Sequence, residues 1–186
     1  MTQLLPGNSL GFLLVDTGRL FRQAFERAIV EAGLELTPGE IRTLAYVARF
    51  EGTRQTALAE RMGIEAMTIS VYLDRLEIRG LISRMVDPSD RRANVVRLTT
   101  AADNVFAEVR PIAISLYEQM VGGLNKEECA MVDRLLQRIR ANLTDDPKIV
   151  GEVTCDPDFF TTAPPLPLFP DLSIRPAEPL NVGQAD

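Results

Sequence analysis

Apolar residues recur at helical spacing over residues 9–32, where Leu10, Leu14, Phe21, Phe25 and Ala28 are separated by Arg19, Arg22, Glu26 and Arg27. Gly33 follows as a C-cap, so this stretch reads as an amphipathic helix. Thr37-Pro38-Gly39-Glu40 supplies an N-cap hydroxyl, a proline at the first helical position and a carboxylate at the third, which predicts a helix to about Phe50. Its inward residues would be Ile41, Leu44, Ala45, Val47 and Ala48. Glu51-Gly52-Thr53 reads as a linker, and the next helix ends at Arg61-Met62, where Gly63 turns the chain into another helix from about residue 65 to Arg79.

The period then shortens. Leu81 to Val86 and Ala93 to Leu98 are rich in branched apolar residues and flank Asp87-Pro88-Ser89-Asp90-Arg91-Arg92, which predicts a hairpin around a charged turn. Thr100-x-x-Asp103 opens a long helix with Val105, Phe106, Val109, Ile112, Ala113, Leu116, Met120 and Val121 on its apolar side, broken by Gly122-Gly123. Asn125-x-x-Glu128 is a further capping pair, opening a helix whose Val132, Leu135, Leu136, Ile139 and Leu143 recur every 3.6 residues. The fold class is therefore mainly α with a small β-hairpin: a winged helix-turn-helix flanked by long helices. Those flanking helices need apolar partners, and a second subunit is the natural source, so a homodimer is expected. The predicted organisation is an N-terminal dimerisation helix (1–36), a winged helix-turn-helix domain (37–99), C-terminal dimerisation helices (100–143) and an acidic, proline-rich tail (144–186).

Charge alters this picture only when resolved along the chain. The formal net charge of −6 argues, taken alone, against a polyanionic partner. Residues 144–186, however, hold two basic and eight acidic side chains, leaving 18 of the 20 basic and 18 of the 26 acidic groups in residues 1–143. Within residues 41–99 ten basic groups outnumber seven acidic ones. The tail carries eight of the twelve prolines, which forbids a regular helix or central strand. Two readings of it stay open: a disordered extension, or an arm that packs Phe159, Phe160, Leu166, Leu168 and Phe169 onto the body or a partner.

The chain has no histidine, which removes imidazole bases, Ser-His-acid triads and His-bearing zinc sites. With no nucleotide loop, metal cluster or paired nucleophile and base, the sequence does not read as an enzyme, and no metal or cofactor is called for. Cys129 and Cys155 match neither a disulfide framework nor a Cys-x-x-Cys cluster, which implies a reducing compartment. With no apolar run approaching 18 residues and no basic leader, the reading is cytoplasmic with no membrane partner.

Ala59, Gly63 and Ile69 are spaced as a helix-turn-helix requires: a small residue at the helix crossing, a glycine for positive φ, a branched residue in the wedge. In the second helix Ile69, Leu73 and Leu76, with Tyr72 alongside, face the core. Met67, Thr68, Ser70, Val71, Asp74 and Arg75 are left outward. Thr68 and Ser70 can bond base edges or phosphate, Met67 and Val71 can meet thymine methyl groups, and Arg75 can reach phosphate. Arg91 and Arg92 at the hairpin turn, with Arg84 and Arg97 on its strands, suit a narrow minor groove of double-stranded DNA. Asp87 and Asp90 read as wing-orienting, Asp90 by pairing with a wing arginine and Asp87-Pro88 by shaping the turn.

Leu58-Ala59-Glu60-Arg61-Met62-Gly63-Ile64, Asp74-Arg75-Leu76-Glu77-x-x-Gly80-Leu81-Ile82, Asp87-Pro88-Ser89-Asp90-Arg91-Arg92 and Val96-x-Leu98-Thr99 resemble the MarR (multiple antibiotic resistance regulator) family of winged helix-turn-helix transcription factors. The resemblance spans about residues 10–143. It implies a homodimer with intertwined first and last helices, reading successive major grooves of a pseudo-palindrome. It also implies control by a small aromatic or phenolic effector between the dimer helices and the DNA-binding module, or by cysteine oxidation. Glu65 stands where relatives carry a Ser or Thr cap, Val71 where they are often polar or basic, and Ala102 where glycine is common. No cysteine lies near the start of the first helix, and Cys129 reads as a small buried apolar residue. The ligand-binding residues are not identified, since Phe21 and Tyr46 serve equally well as core.

The function this sequence points to is a homodimeric, sequence-specific DNA-binding transcriptional regulator, a ligand-responsive repressor of a pseudo-palindromic operator. The competing reading is a protein-interaction module of the same fold that has lost DNA binding and uses its acidic tail as a contact segment.

Overall fold

The computed structural model describes residues 9–150 apart from Pro88. The chain runs α1 (Leu10–Glu31), α2 (Pro38–Arg49), β1 (Thr53–Arg54), α3 (Gln55–Met62), α4 (Ala66–Ile78), β2 (Ile82–Asp87), β3 (Asp90–Leu98), α5 (Ala102–Met120), α6 (Lys126–Ala141) and α7 (Pro147–Val150). The three strands form one antiparallel sheet in the order β1-β3-β2. Helices α2, α3 and α4 pack on one another and on this sheet, while α1 lies along α5.

Two capping boxes form as their sequences require. Thr37 Oγ1 accepts from the Glu40 N–H at 3.3 Å while the Glu40 carboxylate accepts from the Thr37 N–H at 2.8 Å. Asn125 and Glu128 repeat the arrangement at 3.0 and 2.8 Å. Each box satisfies donors that the first helical turn leaves open. Gly63 adopts φ 62°, the left-handed region open to glycine, and lets the Ile64 N–H reach back to the Ala59 carbonyl at 3.1 Å. The core is continuous from Ile29 through Ile41, Leu44, Val47, Leu58, Ile69, Leu73 and Leu76 to Val96, Phe106 and Val109, all 0–2% exposed.

Four features depart from the hydrophobic pattern. The linker before α3 contains a two-residue strand, in which Thr53 pairs with Val96 and Arg54 with Val95. A strand this short has no periodicity of its own and is visible only through its partner. The hairpin is also longer than the branched residues suggest: Asp87 lies opposite Asp90, but the register shifts between the pair Val86 and Asn94 and the pair Asp87 and Asp90, so Arg91 and Arg92 fall in β3 within an irregularity at the hairpin's tip. An irregularity of this kind leaves extra residues of one strand unpaired, and hydrophobic alternation carries no signal for it. Helix α5 starts at Ala102 behind an Ala101 cap without a side-chain bond, rather than at Thr100.

The fourth departure is at the C-terminal end, where residues 144–150 do not belong with the tail. Pro147–Val150 form α7, and the segment packs back on the body, with Ile149 partly buried against the core. The two readings of the proline-rich segment, and Cys155, lie outside the described residues. Helix α6 shows the expected apolar face, but Val132, Leu135 and Leu136 remain 44–46% exposed. Leu10, Phe12, Leu13 and Val15 of α1 are likewise exposed. Cys129 is buried and free. No helix among the described residues is long and apolar enough to cross a membrane.

Candidate nucleic-acid interface

Helix α4 is seated by Ile69, Leu73 and Leu76, each 0% exposed, which accounts for one face of its 13 residues. Full burial of three such side chains gives about 2 kcal/mol each, enough to fix the helix's rotation about its axis. Tyr72 lies half-buried against α2, where Gly39 leaves the space: a Cβ there would stand 2.6 Å from the Tyr72 ring. With rotation so fixed, Met67 is 80% and Val71 42% exposed, and Thr68 and Ser70 are half-buried at the edges of the same open face. Glu65 at the N-cap makes no side-chain bond to the α4 backbone.

Arg75 leans from this helix toward α2, where its Nη1 is 3.4 Å from Glu40 Oε1, and its side chain stays 57% exposed. Burial of the Glu40 carboxyl opposes its ionisation, but hydrogen bonds from Thr37 and the Arg75 guanidinium outweigh it and hold the group below the usual carboxylate range. One carboxylate thus both caps α2 and orients an outward arginine of α4.

Arg84 is placed differently from the other candidate arginines. Its Nη2 is 2.6 Å from Asp74 Oδ1, its Nη1 3.3 Å from Glu77 Oε2, and its side chain is only 21% exposed. The guanidinium ties β2 to α4 and is turned toward carboxylates, not presented outward. Arg91 and Arg92 are exposed on β3.

The wing is oriented by Arg54, a residue with no local motif to mark it. Its Nε donates to Asp87 Oδ2 at 2.6 Å, its Nη2 to Ser89 Oγ at 3.3 Å, and its Nη1 lies 3.6 Å from Asp90 Oδ2. Asp87 Oδ1 accepts from the Ser89 hydroxyl and N–H at 2.7 and 2.8 Å. These Ser89 bonds, with Arg54 next, hold the buried Asp87 carboxyl at about 2. Asp90 therefore meets Arg54 of β1, not a wing arginine, although its Oδ1 accepts from the Arg92 N–H at 3.1 Å and so shapes the strand entry. Arg54 and Asp87 stand 33 residues apart, and only the fold brings them together.

A cavity of about 400 Å³ opens between α1, the end of α2, α3 and the end of α6. Tyr46 and Phe50 supply aromatic walls, Leu14 and Leu136 apolar ones, and Arg61 and Arg140 guanidinium groups. No group of three or more acidic or cysteine side chains among the described residues is arranged to hold a metal ion.

A helix-turn-helix whose second helix keeps an open polar and apolar face, backed by a three-stranded wing, defines a winged-helix transcription regulator. Residues 36–93 match the MarR family model. The transcriptional regulator PA3341 is 34% identical, with a TM-score of 0.61 over 73% of this chain and 98% of its own. A MarR-family regulator from Rhodococcus sp. RHA1 is 25% identical, with a TM-score of 0.60 over 74% of this chain and 96% of its own. Bordetella bronchiseptica BpsR, whose DNA binding is regulated by 6-hydroxynicotinic acid, is 26% identical, with a TM-score of 0.57 over 71% and 98%. The protein belongs to the MarR family of transcriptional regulators.

Proposed function

We propose that the protein is a homodimeric repressor that binds a pseudo-palindromic operator through α4 and the wing and releases it when a small aromatic or phenolic ligand is bound. The observation that carries this reading is the division of α4. Ile69, Leu73 and Leu76 are sealed in the core while Met67, Thr68, Ser70 and Val71 are left on an open face. On that face Thr68 and Ser70 bond base edges or phosphate, Met67 and Val71 contact thymine methyl groups, and Arg75 reaches phosphate from its seat on Glu40. Arg91 and Arg92 enter the adjoining minor groove, and Arg54 with Asp87 and Asp90 holds the wing in position. Arg84 acts within the protein, as the brace between wing and recognition helix.

The second subunit covers the apolar faces of α1 and α6, which one chain alone leaves in water. The effector occupies the cavity beside Tyr46, Phe50 and Arg140, whose volume and mixed aromatic and cationic walls suit a hydroxylated aromatic acid. BpsR is regulated by a compound of that class. The test is selection of genomic DNA fragments by the purified dimer, followed by footprinting. Two half-sites about 10 base pairs apart, centre to centre, are expected. Failure of the intact dimer to hold any genomic fragment at low salt would refute the reading.

A further inference from the structure

Residues 144–150 lie beyond the stretch of sequence that carries the family motifs, yet they reach back across the molecule. Asp146 Oδ2 accepts from Arg61 Nε at 2.7 Å, with the two side chains 24% and 12% exposed. Arg61 belongs to α3 and is itself held: its Nη1 donates to Thr53 Oγ1 at 3.2 Å and its guanidinium stacks 4.5 Å from the Phe50 ring centroid. Lys148 Nζ donates to the same Thr53 hydroxyl at 3.1 Å, filling the second lone pair of a side chain that is almost fully buried. At the other end Arg140 Nη2, on α6, donates to the Ile149 carbonyl at 3.1 Å. The segment therefore grips α6 with one end and both α3 and β1 with the other.

We propose that residues 144–150 are an intramolecular strap that latches the end of α6 to the winged module, with the Asp146 carboxylate on Arg61 as its latch. The surface that receives it consists of Phe50, Thr53 and Arg61, and the partner it fits is an anionic turn followed by a lysine. Because α6 makes few contacts of its own with the winged module, the strap fixes how that module sits against the C-terminal helix. Opening the latch broadens the range of module orientations without unfolding the module, because Ile69, Leu73 and Leu76, which seat α4, make none of the strap's hydrogen bonds.

Asp146 has two separable jobs, which makes the test clean. Its Oδ1 caps α7 by accepting from the Lys148 N–H at 3.0 Å, and Asn caps a helix equally well. Asp146→Asn thus keeps the cap and replaces the latch with an uncharged group. Hydrogen exchange on the full-length protein without DNA, for Asp146→Asn, Arg61→Gln and the double variant, reads the strap directly and independently of any DNA or ligand reading. Each single change is expected to raise exchange over residues 50–62 and 144–150 by about tenfold while residues 69–76 keep their protection. The double variant should match Arg61→Gln alone, as two groups sharing one contact must. Wild-type exchange in Asp146→Asn, multiplying effects in the double variant, or equal deprotection of the whole chain would each overturn the proposal.

Discussion

The two classes of arginine around the recognition helix make a prediction that a salt titration can settle. Arg92 is exposed on the wing, with its backbone N–H bonded to Asp90, whereas Arg84 has its guanidinium on Asp74 and Glu77. If Arg92 neutralises one phosphate in each subunit, Arg92→Ala removes two such contacts per dimer. Each contributes about 0.9 to the slope of log affinity against log salt, so the slope should fall by about 1.8. Over a fourfold rise in salt, from about 50 to 200 mM, the wild type then loses roughly twelvefold more affinity than the variant. Arg84→Met should weaken binding by loosening the wing yet leave the slope unchanged, because a guanidinium already spent on two carboxylates releases no counterions from DNA. Fluorescence anisotropy with one operator and one unrelated duplex at several salt concentrations measures both quantities. An unchanged slope in Arg92→Ala, or equal slope losses in the two variants, would refute the assignment of roles.

Three further outcomes follow from the packing and the charges. Glutamates at Leu13 and Leu135, in the exposed apolar faces of α1 and α6, should yield a folded monomer by light scattering; a persistent dimer would place the interface elsewhere. Leu73→Ala, at a fully buried position of α4, should cost about 2–5 kcal/mol in urea unfolding, and a loss below about 1 kcal/mol would mean that α4 is not seated as described. Asp87, held at about 2 against an ordinary value near 3.9, favours the folded state above about pH 4 and loses that contribution as the pH falls toward 2. The difference in urea midpoint between wild type and Asp87→Asn should therefore be level from about pH 7 to 5 and narrow below about pH 4. A gap unaffected by acid would show that the carboxylate's charge is not what Arg54 and Ser89 hold.

The parts of the fold legible in the sequence are those whose cause is local. Thr37 and Glu40, or Asn125 and Glu128, are three residues apart and announce their helices because the capping bonds close within one turn. Ala59, Gly63 and Ile69 announce the helix-turn-helix because each meets a steric need set by near neighbours. The outward residues of α4 were readable for the same reason, since three inward positions at 3.6-residue spacing fix the opposite face. What escaped was non-local: β1 exists only through Val95 and Val96, and Arg54 acquires meaning only against Asp87 and Asp90. Arg84 shows the converse, a residue whose type suggested DNA and whose neighbours assign it to Asp74 and Glu77.

The sequence by itself determined the succession of helices and hairpin, the face that α4 turns to the core, and the separation of an acidic segment from a balanced body. Periodicity, capping and charge counts are properties of short stretches, and they survive without knowledge of the whole. The tertiary structure alone decided which arginines are spent on carboxylates, how Arg54 holds the wing, and that residues 144–150 return to grip Arg61 and Thr53. Those contacts join groups 7 to 95 residues apart, and such distances close only when the packed core brings their elements together.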